Sequence, residues 1–279
     1  MEKKNLSLAE YRETGEILDR MRKYLIVLFI ADLVVFFLLT LSAMILNMDV
    51  ENEFVNGLTD FLMKHSLILT LITFAPSLAT LLYCVAMLRL YIFDMGLLIA
   101  GTVAFFTAVY QKTVPALTTN TMSNGLASII GGGALVLVMG IVFRKLYCDA
   151  MCKATSGMDA EIGENWRRLW KLSLIVNIVG IVLLVVLNFF AEDVIEKLNN
   201  LAYNWYGFDD SGLSYSDLLA RLSLVSMLIA NIAVLADLIL MAFEMKCLKK
   251  TRAGVLEKCS DLEIEMSPVD AADSYDANL

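Results

Sequence analysis

The chain of 279 residues has one histidine, His65, with no cysteine or second histidine near it in sequence to share a metal. No metal site is expected, and His65 reads as an interfacial residue. Charged residues make up only 19% of the chain, and no basic cluster is interleaved with aromatics, so nucleic acid is not expected as a partner. The glycine run Gly131, Gly132, Gly133 lies in an apolar stretch with no following Lys-Ser or Lys-Thr, so it is not a phosphate loop. It reads as a face for close helix contact or as a local helix break. Cys148 and Cys152 stand one helical turn apart but lack further ligands, and the turn at Asp209, Asp210, Ser211 and Gly212 has too few spaced oxygens for calcium. No nucleotide-binding, hydrolase or redox motif remains, and no catalytic residue or cofactor is expected.

What the sequence has is apolar residues, 58% of the total, gathered into blocks. A bilayer core of about 30 Å takes about 20 mostly apolar residues in a helix. The segments 24–46, 66–88, 94–110, 126–143, 172–190 and 222–243 meet or approach that length. Residues 66–110 are too long for one crossing and are broken at Arg89 and Asp94, the only ionisable interruptions. The fold class expected is therefore an all-α polytopic membrane protein of about six transmembrane helices. Three parts follow: a cytosolic amphipathic segment 1–23, a membrane domain 24–250 with a cytosolic central loop 144–171, and an acidic, disordered cytosolic tail 251–279.

Orientation comes from the basic residues. On one side of these spans fall 18 of the 22 Lys and Arg, leaving only Lys64, Lys112, Lys197 and Arg221 on the other. Positively charged loops stay in the cytosol, so both termini are placed there, with the plasma membrane as the expected location. On this topology Cys84, Cys148, Cys152, Cys247 and Cys259 lie at or near the cytosolic side, and no external disulfide is available.

Leu8, Tyr11, Leu18 and Met21 give the first segment an apolar stripe, expected to lie on the membrane surface. Trp166 and Trp170, among Arg167, Arg168 and Lys171, read as an interfacial anchor before the fifth span. The two segments align at a constant offset of 148: Gly15, Glu16, Arg20 and Lys23 on Gly163, Glu164, Arg168 and Lys171. Both external loops read as short amphipathic helices, on Val50, Phe54, Leu58, Phe61 and Leu62 and on Val194, Leu198, Leu201 and Trp205. Spans two and six share Ser66, Leu67, Leu71, Ile72, Leu78 and Ala79 with Ser223, Leu224, Leu228, Ile229, Leu235 and Ala236, at an offset of 157. The first and third hairpins are therefore read as a parallel repeat, set against chance likeness within a small apolar alphabet.

Two acids interrupt the spans in near-identical settings, Ile30-Ala31-Asp32-Leu33 and Leu235-Ala236-Asp237-Leu238. Each lies nine residues from a basic flank, Lys23 or Lys246, and so about 13 Å inside the cytosolic boundary. A charge at the bilayer centre costs at least ~2.5 kcal/mol and usually faces a partner, water or a pathway. Thr80 and Gly180 fall at the same depth, with Ser77, Tyr83 and Asn177 within a turn. The candidate binding residues are Asp32, Asp237, Thr80, Asn177 and Ser77, and Pro76 is expected to kink span two beside them. The competing reading holds each aspartate protonated as interhelical glue.

Three functions are weighed. The first is a small transporter, or the membrane subunit of one, binding a cation, a proton or a basic solute at the aspartate layer. The second is a non-catalytic partner or regulatory subunit of another membrane protein. The third, intramembrane aspartyl proteolysis, lacks its usual context, because neither aspartate has a Gly-x-Gly before it or a tyrosine immediately before it. The expected partners are the lipid bilayer and, on the second reading, another membrane protein.

Overall fold

A computed structural model describes residues 6–47, 66–118, 125–203 and 215–265. Among them are six α-helices and no strand: α1 Leu8–Asn47, α2 Ser66–Arg89, α3 Met95–Thr118, α4 Gly125–Thr155, α5 Ala160–Tyr203 and α6 Tyr215–Glu265, with a 3-10 turn Leu90–Ile92 between α2 and α3. The protein is all-α. One helical stretch among the described residues, Phe74–Ile92, is long and apolar enough to cross a membrane, and Met95–Tyr110 is a shorter apolar helix.

The helix starts are written locally. Ser7 and Glu10 form a reciprocal capping box: Ser7 Oγ accepts from the Glu10 N–H at 3.3 Å, and Glu10 Oε2 accepts from the Ser7 N–H at 2.7 Å. Asp94, where the long apolar run was broken, caps α3 by accepting from the Gly96 N–H at 2.7 Å. Asp159 caps α5 through the Glu161 N–H at 2.8 Å. α4 continues as helix through Gly131, Gly132 and Gly133.

Two compact units partition the chain. One comprises Met1–Ile26, Ala79–Lys171 and Phe243–Leu279, the other Val27–Leu78 and Leu172–Ala242. The first unit has its own core, in which Leu18, Met21, Tyr147, Met151, Trp166 and Leu248 are fully buried. Within it the start of α1 runs antiparallel to the end of α6. Arg12 pairs with Glu263, a Cβ on Gly15 would meet Leu256 Cδ2 at 3.3 Å, and Asp19 pairs with Arg252 at 3.1 Å. α5 joins α6 through Trp166 Nε1, which donates to Thr251 Oγ1 at 2.9 Å. α3 lies close on α4, because a Cβ on Gly96 would stand 2.9 Å from Ala150 Cβ. In the second unit α1 and α6 touch through Thr40 and Asn231, whose side-chain oxygens are 3.4 Å apart.

Several expectations are corrected. The tail does not begin at 251: α6 continues to Glu265, with Thr251, Val255 and Cys259 buried, because these residues have helix partners in α1 and α5. Residues 266–279 lie outside the described residues. Leu18 and Met21 of the opening segment, and Trp166, face the core of the first unit instead of a lipid surface. Trp170 is half-buried with Lys145 Nζ 5.3 Å from its ring centre. The second of the two expected amphipathic helices is, as far as Tyr203, the continuation of α5, with Trp205 outside the described residues; the first falls outside them too, as does His65. At offset 148, burial matches as well as sequence: Thr14, Gly15, Leu18 and Met21 are buried, and so are Ile162, Gly163, Trp166 and Leu169.

Candidate functional site

Asp32 and Asp237 are electrostatic neighbours within the second unit. The pairing follows the antiparallel register of α1 and α6: eight residues beyond Asp32, Thr40 meets Asn231, which is six residues before Asp237. A polar strip thus interrupts an otherwise apolar helix pair over roughly two turns. Asp32 is half-buried and Asp237 exposed. Carboxylates from two helices at one level make a site that favours a cation or shares a proton.

The other predicted members do not all join it. Asn177 turns to its own helix, its Nδ2 donating to the Ser173 carbonyl at 2.8 Å and lying 3.3 Å from Ser173 Oγ. Ser77 and Thr80 are both half-buried on α2, but the unit boundary falls between Leu78 and Ala79, so Ser77 belongs with the aspartates and Thr80 to the first unit. Pro76 lies inside α2. No group of three or more His, Cys, Asp or Glu able to hold a metal occurs among the described residues.

A stronger polar cluster lies in the first unit, and sequence reasoning missed its key member. Glu244 on α6 is 2% exposed. One carboxylate oxygen accepts from Arg144 Nη1 of α4, and the other accepts from the Tyr83 hydroxyl of α2. The Tyr147 hydroxyl lies 3.2 Å from that of Tyr83. Tyr147 stacks on Phe143 and meets Trp166 edge-on with ring centres 5.2 Å apart, so α2, α4, α5 and α6 are tied around one buried ion pair.

No family model, curated protein or solved structure matches this chain. Its chemistry has to be read from its own residues.

At Arg144, burial works against the charged form, but the Glu244 carboxylate outweighs it and raises the guanidinium above its usual range. Burial, with Glu244 adding to it, likewise holds the Tyr147 phenol protonated. Cys148 and Cys247 flank the pair and are buried; desolvation raises both thiols, Cys247 to about 12. Neither is suited to nucleophilic attack at neutral pH. The cluster is built to hold opposite charges in a buried contact, whereas the aspartates bring like charge together from two helices.

Proposed function

We propose that this protein is a six-span membrane protein with both termini in the cytosol, acting at the plasma membrane as a small transporter or the membrane subunit of one. Asp32 and Asp237 bind the cation, proton or basic solute. The observation that carries this reading is the meeting of two acids from different helices in one antiparallel register, deep within apolar sequence. A carboxylate pair there is expensive unless a cation or proton occupies it.

Membrane embedding is supported by the helix surfaces. Phe37, Phe74, Phe106, Val138, Ile175 and Ile239 are each more than half exposed and lie mid-helix, an outer face suited to acyl chains and not to water. The basic residues on one side of the spans support the orientation. The matched burial at offset 148 supports reading the first and third hairpins as a parallel repeat.

The test is thermal stability of the full chain in detergent, titrated with Na+, K+, Mg2+ or spermidine at constant ionic strength. At least one probe should raise Tm in the wild type and lose that effect in Asp32→Asn and Asp237→Asn, whose Tm without probe stays close to wild type. If no probe distinguishes wild type from the double Asn variant, the ion site is gone. One observation favours the second reading, a non-catalytic partner: Asp237 is exposed on α6, where a polar group of another membrane protein could cover it. In that case the double variant loses a co-purifying protein instead of a cation response.

A further inference from the structure

Apart from the aspartate pair, the first unit holds a concentration of positive charge that its own acids do not neutralise. Arg22 and Lys23 of α1 and Arg252 of α6 converge on one carboxylate, Asp19, which is 16% exposed. Asp19 Oδ1 is shared by Arg22 Nη2 at 3.3 Å and Arg252 Nη1 at 3.1 Å, and Oδ2 takes Lys23 Nζ at 2.9 Å. Three cations on one anion leave a surplus of two positive charges. The two guanidinium contacts are also longer than the ~2.7–2.9 Å of a well-formed charge-assisted bond, because both compete for the same oxygen.

The buried polar atoms single out the same place. Among the described residues three buried side-chain nitrogens or oxygens have no hydrogen-bond partner, and two of them are Arg22 Nε and Arg252 Nε. A native fold rarely leaves such donors unmet without a water, an ion or a ligand to serve them. The Lys23 ammonium first, with Arg252 and Arg22, holds the Asp19 carboxyl below the usual range, so Asp19 stays ionised and keeps the three cations gathered. Their outer ends remain accessible: Arg22 is 29% and Arg252 38% exposed.

We propose that Arg22, Lys23 and Arg252, organised by Asp19, form a binding site for a phosphate group. Planar guanidinium forks match phosphate oxygens in pairs, and the lysine adds a mobile third donor. Lys23 directly precedes the first apolar span, which begins at Tyr24 and so sets the cluster at headgroup depth. The phosphate comes from an anionic lipid or from a soluble phosphate compound. The lipid source rests on the membrane reading above, while the soluble source does not, so a failure of that reading leaves the phosphate measurement standing.

The experiment uses the detergent-purified full chain and follows Tm in two titrations. One adds inorganic phosphate against sodium chloride of equal ionic strength; the other adds phosphatidylglycerol against phosphatidylcholine. The wild type should be stabilised by phosphate or by phosphatidylglycerol beyond its control, the first response naming a soluble ligand and the second alone naming a headgroup. Arg22→Gln with Arg252→Gln should weaken the response at least about tenfold, the loss expected for one charge-assisted bond, while Lys246→Gln, an exposed cation outside the cluster, leaves it unchanged. Should the double variant fail to fold, Arg252→Lys keeps the charge, removes the fork and should still bind about tenfold more weakly. The site is refuted if neither titration separates from its control, if the cluster variants respond like the wild type, or if Lys246→Gln loses as much as they do.

Discussion

Replacing Glu244 by glutamine should open the helix junction at Arg144 without unfolding the chain. The substitution keeps shape but removes the charge that offsets Arg144. Breaking a buried pair by removing one partner costs about 3–5 kcal/mol, because the survivor is left as an uncompensated charge. Arg144 retains 18% exposure against 2% for Glu244, so water recovers part of its solvation and the lower end, about 3 kcal/mol, is the expected figure. That corresponds to about a hundredfold change in an opening equilibrium. The protein has its own reporters: Cys148, one turn beyond Arg144, is 1% exposed, and Cys247, three residues beyond Glu244, is 2% exposed. Labelling of each thiol by a maleimide, resolved by peptide mass spectrometry, should accelerate about a hundredfold at these two sites, and far less at Cys259, twelve residues further along α6. The paired change Arg144→Met with Glu244→Leu should return labelling to within about tenfold of wild type, because a packed apolar pair replaces a buried ion pair at little cost. Labelling in Glu244→Gln that stays within about threefold of wild type, a difference of under 1 kcal/mol, would refute the assignment of Glu244 as the central contact.

Three further outcomes follow from the first unit. Trp166→Phe removes the bond to Thr251 and should destabilise by about 1–3 kcal/mol, with Thr251→Val recovering part of the loss; additive effects in a double-mutant cycle by thermal unfolding would contradict direct coupling. Gly96→Ala places a Cβ 2.9 Å from that of Ala150 and 2.9 Å from Asp94 Oδ1, so the α3 start and α4 must shift at a cost of about 1–3 kcal/mol, and Ala150→Gly in the same chain, which relieves the first contact but not the second, should recover part of the lost Tm. Asp19, through Lys23 first, and Glu161, through Lys250 first, have carboxyl pKa values below their usual ones. Their stabilisation is therefore present above the ordinary carboxylate range and lost as pH falls through the lowered values, so Tm should drop below about pH 4, and less so in Asp19→Asn.

Much of the helical layout was legible because it is set by local rules. The capping pattern Ser7-Leu8-Ala9-Glu10 and the cap at Asp94 are sequence signals that the structure uses directly. What composition obscured was helix length. At Lys23, Lys171 and Phe243 the chain changes between polar and apolar character, and each change reads as the edge of an element. Backbone hydrogen bonding is indifferent to that change, and nothing at those points breaks a helix, so α1, α5 and α6 continue as helix past them. The acids Asp261 and Glu263 suggested disorder, but Gly254 admits Ile162 closely, Val255 is buried and Glu263 has Arg12 as a partner. Those partners are on other helices, beyond the reach of any local window.

The same distinction separates the two polar sites. Asp32 and Asp237 could be found because an acid inside an apolar run is anomalous on its own helix, whatever packs against it. Glu244 follows Phe243 as Arg144 follows Phe143, each standing where an apolar run gives way to a charged flank. Counted as a flanking charge, Arg144 informs only the expected orientation, and Glu244 does not enter that count. A signal was nevertheless present: opposite charges at the polar edges of two apolar runs, with Tyr83 near the polar end of a third. Acting on it requires knowing that α4 and α6 are neighbours, because a boundary charge is solvated when its helix stands alone and buried only when the facing helix supplies the counter-charge. Burial of a flank residue is a tertiary quantity, and Glu244 acquires its role from Arg144 and Tyr83 and not from the sequence around it.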